Sequence, residues 1–194
     1  LYNGALVVGA PFILLALFLK KRCRKGLAQR LGLVLPQVGN PQAEVLWVHA
    51  VSMGEVLAIV PFVFAIHEAY PRLKILISTV TETGREAVEN HLIGIAQHCY
   101  FPLDWPWTVR RFIRHVRPKA FIVIETELWP NLLKELHDKG VSAALVNGRL
   151  STRSFHRYLC IKSFMKEVLR CFNLCLVQSA QDAHRMIELG ANPE

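Results

Sequence analysis

The 194-residue sequence predicts an α/β fold, a parallel β-sheet covered by helices on both faces. Three observations predict it. Short runs of strand-forming residues alternate with longer helical patterns along most of the chain. Several runs, VLWVH, KILIS and AFIVI among them, are apolar with little alternation, as strands covered on both faces are. Hydrophobic residues make up 52% of the chain, above the ordinary globular level. An apolar amino-terminal stretch supplies part of that excess, and a buried sheet accounts for the rest.

The elements follow in order. Leu1–Leu19 is almost wholly apolar, and Ala5–Leu19 carries no charged or hydrogen-bonding side chain. At ~1.5 Å per residue a helix there covers about 22 Å from Ala5 and about 28 Å from Leu1, against a hydrocarbon core of ~30 Å. KKRCRK follows at Lys20–Lys25. Residues 1–25 are therefore expected to be a membrane anchor with a basic juxtamembrane segment. Charges that follow an apolar run, rather than precede it, are not those of a signal peptide. By the positive-inside rule they put the remaining chain in the cytoplasm, where the cations meet anionic lipid headgroups. Pro11 leaves a buried or interfacial helix open as the alternative. The chain begins at Leu1 rather than Met and closes on GANPE, so it reads as a piece of a longer protein.

Residues 26–43 read as a linker with a first helix, Asn40-Pro41 marking the entry to a folded domain over 44–194. Strands are expected at Val45–His49, Lys74–Ser78, His98–Tyr100, Ala120–Ile124, Ala143–Asn147 and Leu174–Val177. Helices are expected near Glu55–Tyr70, Gly84–Ile93, Trp107–Val116, Asn131–Lys139, Thr152–Arg170 and Ala180–Leu189. Pro71, Gly140 and Gly190 stand where helices should stop. Strand–helix–strand units of this kind connect parallel neighbours by right-handed crossovers.

Composition excludes several classes of function. Lysine and arginine number 23 against 15 acids, a net charge of +8. The charge is not gathered on one helix with interleaved aromatics, and no nucleic-acid module is present, so nucleic acid is not an expected partner. Five cysteines without a C-x-x-C pair describe reduced thiols with no disulfide framework and no zinc spacing. None of the eight histidines stands at metal-ligand spacing, and no Ser-His-Asp triad can be assigned. His49, six residues before Glu55, is the histidine to watch.

In parallel α/β sheets ligands gather at the carboxyl ends of the strands. Here those ends are polar: HAVSMGE, STVTETG, YFPLDWPW, ETELWPN, NGRLS and QS. Ser52-Met53-Gly54-Glu55 is the strongest of them. Gly54 would let the backbone turn sharply or approach a ligand closely, and N–H groups at a helix start attract anions. Glu55 reads either as a general base for a hydroxyl or as a carboxylate that complements the helix dipole, with Ser52 as N-cap. STVTETG would hydrogen-bond a phosphate or sugar, or else supply a helix cap at Thr81 or Thr83; it lacks the lysine and spacing of a Walker loop. Glu125 and Glu127 close the fourth strand. They would position substrate, or one would pair with Arg149 or another arginine; Arg149 itself would clamp a phosphate or lock that acidic turn. Asp104 in PLDWP reads as a turn acceptor or cap.

Taken in order, WVHAVSMGE, STVTETG, FPLDWP, VRRFIRHVRPK, IETELWPN, NGRLSTRS and QSAQDAHR resemble the amino-terminal half of bacterial 3-deoxy-D-manno-octulosonic acid (Kdo) transferases. The resemblance runs from Leu1 to Glu194, the short anchor included, and departs at Gly148, where alanine is expected. It implies the first, Rossmann-like and acceptor-binding half of a two-domain GT-B glycosyltransferase, without its donor-binding half. Such an enzyme moves Kdo from CMP-Kdo to a lipid A precursor, with inversion, at the cytoplasmic face of the bacterial inner membrane. Its partners would be the lipid A precursor, the CMP-Kdo donor and membrane lipids; it needs no cofactor and no bound metal. The resemblance makes Glu55 the catalytic base and leaves Ser52, Gly54, Glu125, Glu127, Arg149 and Ser151 as substrate-binding candidates. This half alone is expected to be inactive. A non-catalytic glycolipid- or partner-binding module, or a transferase for another nucleotide sugar, would carry the same scaffold.

Overall fold

Six apolar runs become strands, and every adjacent pair is parallel. The computed structural model describes residues 2–19, 25–38 and 43–193, the side chains of 13–19 excepted. The strands are β1 (Val45–His49), β2 (Lys74–Thr79), β3 (Ala96–Tyr100), β4 (Pro118–Ile124), β5 (Ser142–Gly148) and β6 (Leu174–Val177). The helices are α1 (Tyr2–Leu19), α2 (Leu27–Arg30), α3 (Met53–Ala69), α4 (Glu82–His91), α5 (Pro106–Val116), α6 (Pro130–Asp138), α7 (Thr152–Leu159), α8 (Lys162–Leu169) and α9 (Ala180–Leu189).

The sheet order is β3-β2-β1-β4-β5-β6, the order of a Rossmann-type sheet, which reverses direction between β1 and β4. Side-chain alternation along β1 divides the core in two. Val45 and Trp47 point into one apolar cluster with α5, α6, α8 and α9. Leu46 and Val48 point into the other, with α3 and α4. Both faces of β1 are covered, so its whole length is buried and tolerates the continuous apolar run. Trp47 anchors the first cluster against Phe112 and Phe121, ring centroids 4.8 Å from each.

One expectation is corrected here. The single helix over Thr152–Arg170 is two, α7 and α8, because Ile161 leaves the helical region (φ −124°, ψ 34°). No glycine or proline stands there to announce the break. The amino terminus is helical as well. Its helix forms over 18 residues, about 27 Å at ~1.5 Å per residue, but among the described residues no helix is long and apolar enough to cross a membrane. The start of α1 is engaged with the domain. Tyr2 donates its hydroxyl to Asp104 Oδ2 (2.8 Å), Asn131 donates to Asn3 Oδ1 (2.8 Å), and the Tyr2 ring lies 5.8 Å from Phe164. Beyond that contact Val7, Val8 and Phe12 are exposed. Most of the basic run (20–24) and the Asn40-Pro41 linker lie outside the described residues.

The stretch after the basic run is tied to the ends of β2 and β3. Gly26 has φ +71°, and a Cβ there would stand 1.9 Å from the Tyr100 ring, so only glycine permits this approach. Gln29 Oε1 accepts from the Tyr100 N–H (2.9 Å), and Lys25 pairs with Glu82 (3.0 Å).

Candidate active site

The loops leaving β1 and β4 lead to helices on opposite faces of the sheet, the arrangement that opens a ligand crevice at the carboxyl ends of the strands in such folds. On one lip, Ser52 takes the N-cap position of α3 and Glu55 lies in its first turn. Ser52 makes no cap bond with its side chain. Its hydroxyl donates to Glu55 Oε1 (2.8 Å), and the Val51 N–H donates to Glu55 Oε2 (2.7 Å). Glu55 is half-buried, and among the described residues it has no ion-pair partner. Both oxygens are thus oriented by neutral donors. Such a carboxylate is aimed without being neutralised, an arrangement able to accept a proton.

Glu125, Thr126 and Glu127 form the other lip. Glu125 has φ +59°, a left-handed conformation that costs a non-glycine residue roughly 1 kcal/mol or more and tends to mark functional turns. Its N–H donates to the Val146 carbonyl (2.9 Å), which fixes the turn to β5. The Glu127 carboxyl is pushed above the usual range, first by burial and then by the charges of Glu55 and Glu125. The fold therefore brings Glu127 within electrostatic reach of Glu55 from a position 72 residues away in sequence (127 − 55).

The expected ion pair between Arg149 and this turn is absent among the described residues. The locking is done by Thr126, whose hydroxyl donates to the Arg149 carbonyl and accepts from the Arg149 N–H (2.9 Å). Arg149 itself is exposed beside the turn. Ser151 caps α7, its Oγ accepting from the Ser154 N–H (3.1 Å). Gly54 is not required by a turn, because it is already helical and its φ is not positive. It is exposed, and a Cβ there would meet nothing within 4 Å, which leaves open ground beside Glu55.

Other sequence candidates turn out to be interior. His49 is fully buried, stacked 3.8 Å from Phe101, and its Nδ1 lies 3.0 Å from both the carbonyl and the Oγ of Ser78. Burial pushes its imidazole down to about 3, so it stays neutral. Ser78 and Thr79 of STVTETG are likewise fully buried, and Thr81 caps α4 by accepting from the Gly84 N–H (3.0 Å). That segment supports the site from behind. Asp104 caps a helix other than its own, accepting the Asn131 N–H (3.0 Å) and Leu132 N–H (2.8 Å) at the start of α6. Trp129 packs 5.1 Å from Phe101. At Gly148, where alanine was expected, a Cβ would stand 2.6 Å from Leu145 Cδ2, so an alanine there needs the tip of the Leu145 side chain to shift.

The family profile described as 3-deoxy-D-manno-octulosonic-acid transferase (kdotransferase) matches residues 25–194. The chain belongs to the Kdo transferase family. It is 37% identical over 196 residues to a 3-deoxy-D-manno-octulosonic acid transferase of Haemophilus influenzae, a match covering 97% of this chain and 45% of the relative. It is 36% identical over 158 residues to the transferase of Bordetella pertussis, covering 78% of this chain and 36% of that one. The chain thus spans less than half the length of these Kdo transferases. In fold it is similar to a crystal structure described as a putative UDP-N-acetylglucosamine 2-epimerase from Listeria monocytogenes, with a TM-score of 0.54, 10% identity, and coverage of 77% of this chain and 42% of that one.

Proposed function

We propose that this chain is the acceptor-side half of an inverting GT-B transferase that moves Kdo from CMP-Kdo to a lipid A precursor, with Glu55 as the general base. The observation that carries the reading is the carboxylate of Glu55, oriented by Val51 N–H and Ser52 Oγ at the lip of the crevice and left without a cationic partner among the described residues. In the proposed step the acceptor hydroxyl oxygen attacks the anomeric carbon of Kdo from the side opposite CMP. The new C–O bond forms as the bond to the CMP phosphate oxygen breaks, and that oxygen keeps the electron pair. The hydroxyl proton passes to Glu55. Glu127, whose carboxyl burial holds above the usual range, fits a donor or acceptor to the sugar; Glu125, Gly54 and Arg149 line the same rim. The charge that grows on CMP calls for helix N-termini or cations, which in a GT-B enzyme the second domain supplies. No metal enters the scheme, and this half alone performs no transfer.

The acceptor's acyl chains must stay in a bilayer, so the cleft has to dock there. Two features support that docking. One is α1 with exposed Val7, Val8 and Phe12; the other is α3, where Met53, Leu57 and Phe64 are exposed on one side of the helix that carries Glu55. Together with the basic run before residue 26, they fit an enzyme bound at the cytoplasmic face of the inner membrane.

The test is Glu55→Gln in the full-length enzyme, assayed for Kdo transfer from CMP-Kdo to a lipid A precursor. The amide preserves shape, so the protein should fold and bind normally while kcat drops roughly 10²- to 10⁴-fold. Near-normal transfer would overturn the assignment.

A further inference from the structure

The geometry points to Arg30, in the segment between the basic run and the sheet, as the positioning residue for the Glu55 loop. It acts by fixing the Val80 carbonyl, through which the 79–81 turn holds Val51 and hence the carboxylate of Glu55. The inference rests on the reading of Glu55 as the base and adds a residue that lies outside the crevice.

Arg30 is 5% exposed. An arginine is costly to bury unless its charge is used. Its Nη2 donates to the Val80 carbonyl, and its guanidinium carbon lies 4.8 Å from the centroid of the Tyr100 ring. From Val80 the path continues without a gap. The N–H groups of Val80 (3.0 Å) and Thr81 (3.1 Å) and the Thr81 hydroxyl (3.4 Å) all converge on the Val51 carbonyl. The other side of the same residue, the Val51 N–H, donates to Glu55 Oε2 at 2.7 Å. The Val51 backbone is therefore held through its carbonyl by the 79–81 turn and holds Glu55 through its N–H.

Arg30 is itself held in place. Helix α2 has four residues, too few to persist alone. Tertiary bonds fix it: the Arg30 carbonyl accepts the Leu103 N–H (2.8 Å), Gln29 takes the Tyr100 N–H, and Gly26 lies against the Tyr100 ring. This segment leads directly from α1 and the basic run. It makes the membrane-proximal chain a structural part of the catalytic loop as well as a tether.

The test uses the full-length enzyme with Arg30→Ala, Arg30→Lys and, in parallel, Glu55→Gln. Steady-state kinetics, backbone hydrogen exchange over residues 50–56 and thermal unfolding are read for each. A displaced catalytic group costs up to ~10²-fold, so Arg30→Ala should lower kcat roughly 10- to 100-fold, change the KM for CMP-Kdo less than about threefold, and speed exchange over 50–56. Arg30→Lys, which retains a donor but not the flat guanidinium, should fall between Ala and the parent in both kcat and exchange. Unchanged kcat per folded molecule, or a fall in kcat with no change in exchange over 50–56, overturns the inference; a lowered melting temperature with both intact does the same. Should Glu55→Gln transfer normally while the Arg30 variants loosen the loop, the base is refuted and the strut stands.

Discussion

Asp104→Asn should change how the stability of the chain responds to pH, and the structure sets the size of the change. Asp104 is 5% exposed and accepts three hydrogen bonds, from Tyr2 Oη, Asn131 N–H and Leu132 N–H. Those donors favour the carboxylate, yet burial outweighs them and pushes the carboxyl from 3.8 up to about 6. The folded chain therefore binds this proton more tightly than the unfolded chain does. The sign is the reverse of the usual acidic residue. The stability from this group is fully present below about pH 3.8 and is lost as pH rises through about 6. At ~1.4 kcal/mol per pH unit over that interval, the loss is about 3 kcal/mol. Asparagine has no proton to bind. It still accepts one N–H but loses part of the α6 cap, a cost of about 1 kcal/mol at any pH. The variant should thus be the less stable protein at pH 4 and should gain roughly 2 to 2.5 kcal/mol on the parent between pH 4 and pH 7, the rest of the change lying below pH 4. Urea unfolding at intervals between pH 4 and 7, with equal m-values, measures the difference. Parallel pH profiles, or a parent that gains on the variant as pH rises, would refute the argument that burial dominates at Asp104.

The remaining predictions concern the sheet and the membrane face. Ser78→Ala should destabilise the fold by about 2 kcal/mol in denaturant titrations, because it leaves the indole N–H of Trp47 (2.8 Å from Ser78 Oγ) unpartnered in the interior; a loss under ~0.5 kcal/mol would mean that the Ser78 bonds carry little. Leu57→Glu combined with Phe64→Glu should reduce sedimentation with vesicles containing anionic phospholipid several-fold while kcat on a detergent-dispersed acceptor changes less than about threefold. Undiminished vesicle binding would remove α3 from the docking surface.

Much of this architecture is legible in the residues. β1 and β6 span the predicted limits, because both are apolar runs bounded by turn residues. β3 begins at Ala96 rather than His98, since its early residues, half-buried or exposed at one sheet edge, carry a weaker pattern. The two lips of the crevice were legible as Ser52–Glu55 and Glu125–Glu127, polar clusters that interrupt apolar strands. The roles within them were less so. A hydroxyl between two acids at Thr126 gives no sign in the sequence that it holds the loop after β5, and Arg149 is the partner the acids suggest because charge is visible in a sequence and backbone geometry is not. In sequence Arg30 is one more cation near a basic run; burial distinguishes it, and burial depends on the fold.

By itself the sequence determined what short-range physics writes into it: which stretches alternate between strand and helix, that the sheet is parallel, and which polar residues stand at strand ends. The tertiary structure decided which of those ends meet. Strand order put the turn after β4 beside the turn after β1, and so set Glu127 within electrostatic reach of Glu55. It buried His49 and Ser78, turning apparent site groups into internal pairs, and it carried hydrogen bonds from Arg30 through Val80 and Val51 to a carboxylate. Partners of this kind are joined through backbone groups that every residue shares, so no side-chain pattern can announce them before the chain is folded.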